Sequence, residues 1–214
     1  MSAYVIFFGG WEASPTDMNR WQSSAKAQKS GIDFDAIPWP SGAASDKNSA
    51  VSAFKNKKTG RYKSVIDDIH AMQWANAQSP NARKIYIVGH SSGCAIANAV
   101  DESLTDHSDV VLVALDGFVP GPKQLARQST QVWAAKTFPM PFLDEGISRN
   151  YTALKRAVGS RLQVYYAAPG CTTEWALHFS LVNSAANDKI VTGKNSTEIV
   201  ATGYTGCIAN LVWL

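Results

Sequence analysis

Three residues that are far apart in this chain could together perform nucleophilic catalysis. Ser91 lies in the segment GHSSG (89–93), which fits the pattern G-x-S-x-G, and Asp116 and His178 come after it. A serine hydroxyl is a poor nucleophile until a base takes its proton, and a neutral imidazole suits that role. The imidazole needs a carboxylate on its second nitrogen to fix its tautomer and stabilise its cation. The residue order therefore predicts a serine, histidine and aspartate set.

A strand and a helix must hold Ser91 for this chemistry. Residues 85–88 (IYIV) are apolar, β-branched and aromatic, which is typical of a strand buried on both faces. From Cys94 onward the residues are small and compatible with a helix. The segment between them predicts a sharp turn that exposes Ser91 above the sheet, at the positive end of the helix. The alternative is an ordinary strand-to-helix loop rich in serine and glycine.

The rest of the chain alternates between strand and helix patterns. Further strands are expected at 4–8, 32–37, 110–115, 130–136 and 162–168. Helices are expected at 61–78, 92–104, 122–127 and 151–158, while 41–48 is expected to be a loop. Residues 198–204 fit either a helix or an edge strand. The alternation predicts an α/β protein, a three-layer α/β/α sandwich with a mostly parallel sheet of about six strands. With no linker or repeat, 1–214 is expected to be one domain.

The carboxyl ends of the strands should present the functional side chains, because ligands bind there in open α/β sheets. Asp116 follows the apolar run 110–115 without a spacer, and His178 lies beyond the last predicted strand. Asp144, after the fifth strand, is the competing acid. Glu174 and Asp188 are weaker candidates. A turn or capping role remains the alternative for Asp116.

The other histidines fit the role of base less well than His178. His90 neighbours the nucleophile in sequence, and its side chain should point away from Ser91. His70 lies in an amphipathic helix, and His107 precedes a strand, at the wrong end of the sheet. The alternative for His178 is a packed helix residue between two apolar neighbours.

With Ser91, Asp116 and His178 in this order, the chain resembles a small member of the α/β-hydrolase superfamily. The resemblance covers most of the chain as strand order, but its specific motif is confined to 89–93. It implies a Ser/acid/His triad and an oxyanion hole formed by backbone N–H groups of Ser92 and of Gly10 or Trp11. Many members carry the acid one strand later than Asp116, which keeps Asp144 in contention.

The resemblance implies a serine hydrolase of carboxylic esters, similar to esterases, lipases or thioesterases, that works through an acyl-enzyme. Four aromatic residues in loops are expected to line a pocket for an acyl or aromatic group: Trp39, Phe118, Phe142 and Trp175. Acyl transfer to another acceptor, lyase chemistry and a non-catalytic binding protein on the same fold stay open as alternatives. The expected partner is a small-molecule ester, and the sequence does not indicate an oligomeric state.

Composition limits the other classes of function. The 214 residues are 45% hydrophobic and 17% charged, as in a globular protein. A net charge of +3 gives no case for nucleic acid binding. No apolar run reaches about 18 residues, so no membrane span is expected. The start MSAYVIFF lacks the features of a signal peptide, which favours a cytoplasmic location.

The cysteines and histidines show no metal-ligand spacing, and no phosphate-binding loop is present. Cys94, Cys171 and Cys207 are expected to be reduced thiols, with a bond between the last two left open. Neither a metal nor a cofactor is therefore expected.

Overall fold

A computed structural model of the chain describes residues 3–28, 31–40, 46–56, 61–137, 141–142, 144–167 and 173–182. Its strands are β1 (Ala3–Phe8), β2 (Ile32–Ile37), β3 (Lys84–His90), β4 (Val110–Leu115), β5 (Gln131–Thr137) and β6 (Leu162–Ala167). They form a six-stranded sheet in the order β2-β1-β3-β4-β5-β6, and every pairing in it is parallel. The predicted strands are thus confirmed.

The helices of the described residues connect these strands. They are α1 (Pro15–Gln28), α2 (Lys47–Lys55), α3 (Arg61–Ala77), α4 (Gly93–Glu102), α5 (Pro122–Leu125), α6 (Tyr151–Val158) and α7 (Glu174–Ser180), with a 3₁₀ turn at Gly159–Arg161. The prediction of a loop at 41–48 is wrong at its end, since α2 begins at Lys47. Asp46 caps that helix by accepting hydrogen bonds from the backbone N–H groups of Asn48 and Ser49.

Alternating strand residues build a core on each face of the sheet. In β1, Phe7 belongs to a cluster with Trp21 of α1 and Leu177 of α7. Ile6 and Phe8, on either side of it in the chain, belong to a cluster with residues of α2, α3 and α4 on the opposite face. The two-residue period of a strand produces this division. All six residues of β4 are buried, as expected of a central strand covered on both faces. The three-layer α/β/α class predicted from the sequence is confirmed.

Candidate functional site

Ser91 lies in a strained turn between β3 and α4. Its φ angle is 54°, in the left-handed region that residues with a side chain rarely adopt. Its backbone N–H donates to the carbonyl of Leu115 at 2.9 Å, so the turn is fixed to the end of β4. The structure therefore contains the sharp strand-to-helix turn that the sequence predicts around this serine.

Glycines make that turn possible by close backbone contact. A Cβ atom on Gly89 would lie 2.5 Å from the Cα of Cys94, and one on Gly93 would collide with the carbonyl oxygen of Phe8. No side chain fits at either position without moving main chain. The two glycines of G-x-S-x-G therefore hold α4 against the carboxyl ends of β3 and β1.

His178 lies on α7 and hydrogen bonds to Asp116 at the end of β4. The distance from Nδ1 of the imidazole to Oδ2 of the carboxylate is 2.5 Å, and both side chains are almost completely buried. An ionised carboxylate only accepts, so Nδ1 carries the proton and Nε2 is left to act as a base. This is the orientation that a general-base histidine requires.

The Asp116 carboxylate is held by groups that the sequence did not single out. Ser148 Oγ donates to Oδ1 at 2.8 Å, and the backbone N–H of Asn150 donates to the same oxygen at 3.3 Å. Ser148 is itself tied to β5, because its Oγ accepts from the N–H of Ala135 at 3.0 Å. The backbone of Asp116 is also strained, with φ 43°. Several fixed donors thus set the direction of the carboxylate.

The alternative acids do not occupy this position. Asp144 is exposed in the loop after β5 and takes no part in the hydrogen bonds around His178. Glu174 is an exposed residue at the start of α7. Asp188 lies outside the described residues. The structure therefore brings Asp116, and not Asp144, to the imidazole.

His90 supports His178 from inside the turn. Its Nε2 lies 3.0 Å from the carbonyl oxygen of His178, to which it must donate, and the two rings are 4.5 Å apart between centroids. Burial lowers the pKa of His90 well below its ordinary value of 6.5, and the nearby His178 lowers it further. His70 is exposed on α3, and His107 bonds to the carbonyl of Asp101. His90 is therefore neutral and structural.

This burial predicts a loss of stability on acidification. The unfolded chain takes up a proton near pH 6.5, whereas folded His90 does so only at lower pH, so acid favours unfolding. Below pH 6.5 the free energy of unfolding should fall by about 1.4 kcal/mol per pH unit for this one group. Urea denaturation from neutral to acidic pH would measure it, with His90→Gln reducing the slope and the exposed His70→Gln leaving it unchanged. Equal slopes for wild type and His90→Gln would contradict this assignment.

The residues predicted for an oxyanion hole lie beside Ser91. A Cβ atom on Gly10 would be 2.9 Å from the Cβ of Ser91 and 3.5 Å from its Oγ, so the backbone of this glycine packs directly on the serine. Gly10, Trp11 and Ser92 line the same cavity as Ser91 and His178. Ser92 directly precedes Gly93, the first residue of α4.

That cavity has a volume of about 650 Å³ and includes two of the four predicted pocket residues, Phe118 and Trp175. Trp39 and Phe142 are not among its lining residues. Trp39 packs against the hydrophobic core, and its backbone N–H donates to the carbonyl of Ala13. Phe142 is fully exposed to solvent. The sequence shows that an aromatic residue lies in a loop but not which way it points, so these two were placed wrongly.

Several other lining residues were not selected as pocket residues from the sequence, among them Glu12, Trp21 and Arg149. Trp21 comes from a helix that the sequence did not predict, and Arg149 comes from the loop that also carries Ser148 and Asn150. No local pattern marks such residues, because the folding of distant segments brings them to the cavity.

Within the described residues, no three His, Cys, Asp or Glu side chains are grouped so that they could hold a metal ion. No helix in that part of the chain has the length and hydropathy needed to cross a bilayer. Cys94 is a buried thiol, and burial raises its pKa to about 12. Cys171, Cys207 and residues 198–204 lie outside the described ranges.

The parallel sheet flanked by helices, with Ser91 in the turn after β3, defines an α/β-hydrolase fold. The chain is similar to a hydrolase of the alpha/beta superfamily from Xanthomonas campestris, with 14% identity and a TM-score of 0.41 over 94% of this chain and 97% of that one. A CIB-like hydrolase from Thermoplasma acidophilum has 15% identity and a TM-score of 0.41, covering 80% of this chain and 77% of its own.

An acetylxylan esterase is 13% identical, with a TM-score of 0.38 over 94% of this chain and 98% of that chain. No family model matches the sequence, and no curated protein does. With TM-scores below 0.5, these similarities do not indicate a substrate.

Proposed function

We propose that the protein is a serine hydrolase of the α/β-hydrolase superfamily that cleaves carboxylic esters. The proposal is carried by the hydrogen bond from His178 Nδ1 to the buried Asp116 carboxylate at 2.5 Å, in a cavity shared with Ser91. A buried imidazole bound to a carboxylate on one side and facing a serine cavity on the other has the arrangement of a general base.

The first half of the reaction forms an acyl-enzyme. Ser91 Oγ attacks the carbonyl carbon of the ester while His178 Nε2 takes the hydroxyl proton, and the carbonyl π electrons move onto oxygen. Backbone N–H groups of Ser92 and of Gly10 or Trp11 donate to this oxyanion. When the tetrahedral intermediate collapses, the bond to the alcohol oxygen breaks and His178 returns the proton to the leaving alcohol. Asp116 stabilises the imidazolium throughout.

The second half releases the acid. Water enters the position that the alcohol has left, His178 takes one of its protons, and the resulting hydroxide attacks the acyl carbon. Collapse of this second intermediate returns the proton from His178 to Ser91 Oγ. The enzyme and the imidazole are then restored, and each bond formed is matched by one broken.

Labelling of the folded protein with a fluorophosphonate probe tests the proposal. Such probes phosphonylate an activated serine, so we expect modification at Ser91 and turnover of p-nitrophenyl acetate and butyrate. His178→Ala should remove both, while His70→Ala, an exposed histidine on α3, should change neither. Absence of labelling would favour a non-catalytic binding protein. Labelling with turnover only in the presence of an added alcohol or amine would favour an acyltransferase.

A further inference from the structure

One positively charged side chain, that of Arg149, lines the same cavity as Ser91 and His178. Arg149 lies in the loop before α6 and lines the cavity, with its guanidinium carbon 4.2 Å from the centroid of the Trp175 ring. The centroid of the same indole lies 5.6 Å from the centroid of the His178 ring. One aromatic side chain thus contacts both the proposed base and the guanidinium.

The backbone next to Arg149 is fixed by the proposed acid. The following residue, Asn150, donates its backbone N–H to the Asp116 carboxylate and its side-chain amide to the Asp116 carbonyl at 2.6 Å. Ser148, the preceding residue, donates to the same carboxylate. Arg149 is therefore the middle residue of a segment whose neighbours hold Asp116, and its position relative to the site is set on both sides.

The charge of Arg149 is only weakly compensated. Arg149 forms an ion pair with Glu174, in which Nη1 and Oε1 are 3.9 Å apart, beyond hydrogen-bond distance. Both side chains are about half exposed, so solvent weakens the attraction between them. The cation–π contact of the guanidinium over the Trp175 ring needs none of its N–H donors, so these stay available for a carboxylate or phosphate. Because the two side chains are exposed and too far apart for a hydrogen bond, an anionic ligand can replace Glu174 as the partner of Arg149.

Glu12, another ionised side chain that lines the cavity, comes from a part of the sheet distant from Arg149. It follows β1, and the strands β3 and β4 separate β1 from β5, whose loop carries Arg149. The lining also includes several aromatic residues, among them Trp11, Phe118 and Phe179. The positive charge thus lies on the side of His178 and Trp175, away from the carboxylate of Glu12.

From these contacts we infer that the substrate carries an anionic group, a carboxylate or phosphate, that Arg149 binds at the rim of the cavity. The inference rests on the proposed esterase function and narrows its substrate class. The ester group occupies the site at Ser91, and the anionic group lies toward Trp175. The negative charge gives such an ester a binding contact that a neutral ester of the same shape lacks.

Matched esters test this directly. The pairs are p-acetoxybenzoate with its neutral methyl ester, and mono-p-nitrophenyl glutarate with its methyl ester, which place the charge on the alcohol and acyl sides in turn. p-Acetoxyphenyl phosphate replaces the carboxylate by a phosphate, and an acetylated trimethylammonium phenol supplies the opposite charge. For the p-acetoxybenzoate pair, each kcat/KM is divided by the rate of alkaline hydrolysis of the same ester. For the glutarate pair, whose free carboxylate attacks its own ester, the ratio of anionic to neutral kcat/KM is compared between wild type and variants, so that intrinsic reactivity cancels.

We expect wild type to favour at least one anionic ester over its neutral partner, and this preference to weaken with added salt. Arg149→Gln should reduce the ratio of anionic to neutral kcat/KM about tenfold, and Arg149→Lys should reduce it less because the charge remains. Arg156→Gln, the same change at an exposed arginine on α6, should leave the ratio unchanged. The relative rates of the carboxylate and phosphate esters decide which anion is preferred.

Two results overturn the inference while leaving the esterase proposal intact. One is hydrolysis of neutral esters with no preference for charge, or with a preference for the trimethylammonium ester. The other is an equal effect of Arg149→Gln on both members of each pair. Absence of turnover with every ester, together with absence of fluorophosphonate labelling, removes the proposed function and the inference with it.

Discussion

Replacing Ser91 by alanine is expected to abolish ester hydrolysis. The change removes the atom that attacks the carbonyl, and knockout of a serine nucleophile lowers kcat by about 10⁶-fold in a well-studied protease. Alanine keeps a Cβ at the same φ of 54°, so the turn and the core around it should be retained. Turnover of p-nitrophenyl butyrate measures the loss, and far-UV circular dichroism verifies the fold.

A second serine, at the opposite end of α4 from Ser91, provides the matched control. Ser103 follows α4 at its far end, where its hydroxyl donates to the carbonyl of Val100 at 2.6 Å. Ser103→Ala should affect stability slightly and leave kcat/KM near the wild-type value. Full turnover in Ser91→Ala would show that another group performs the chemistry.

Replacing Asp116 by asparagine is expected to lower kcat by about 10⁴-fold, as the same change does in a serine protease. An amide can present N–H to the imidazole and so favour the wrong tautomer, in which Nε2 carries the proton. Asparagine tolerates a positive φ better than most residues, so the strained backbone at 43° should survive the substitution. Steady-state kinetics on a p-nitrophenyl ester would measure the loss.

Two further variants separate this role from a general loss of charge. Asp144→Asn removes an exposed carboxylate and should leave kcat within about twofold of wild type, as expected of a surface change. Ser148→Ala removes one donor to the Asp116 carboxylate and should lower kcat by about tenfold to a hundredfold, since a hydrogen bond to a charged group contributes about 1.5–3 kcal/mol. A larger loss in Asp144→Asn than in Asp116→Asn would transfer the role of acid to Asp144.

The central strands of the sheet could be predicted because they are buried on both faces. Residues 110–115 are apolar without interruption, and the strand that they form has the same bounds in the structure. Three helices were not predicted, and two of them, α1 and α2, lack such a signal. Among the side chains of α1 that the structure describes, the buried apolar ones are Met18 and Trp21, and α2 buries Ala50 and Phe54.

A capping signal was nevertheless present before α1. Ser14 Oγ accepts from the N–H of Asp17, and the Asp17 carboxylate accepts from the N–H of Ser14 at 2.7 Å, with Pro15 as the first helical residue. This reciprocal arrangement marks the start of a helix and is readable as Ser-Pro-Thr-Asp in the sequence. Capping chemistry would therefore have found α1 where hydrophobic periodicity could not.

The candidate site was predictable only in part. Ser91 has a local pattern, and Asp116 and His178 could be ranked by their positions after strands. Ser148 has no such mark, because its contact with Asp116 spans 32 positions of sequence and depends on how the loop after β5 returns to the sheet. The position of Arg149 at the cavity also depends on how this loop returns to the sheet. Residues that act on a site through tertiary contacts are not visible in local patterns.

The strained backbone at Ser91 and Asp116 also bears on how this protein would respond to laboratory evolution. A left-handed conformation in a residue with a side chain costs on the order of 1–3 kcal/mol, and glycine relieves most of that strain. Libraries selected for heat tolerance alone would thus gain from substituting the two positions proposed to carry the chemistry. Thermal selection of this chain needs a simultaneous activity screen, because robustness and turnover are opposed at the same two backbone sites.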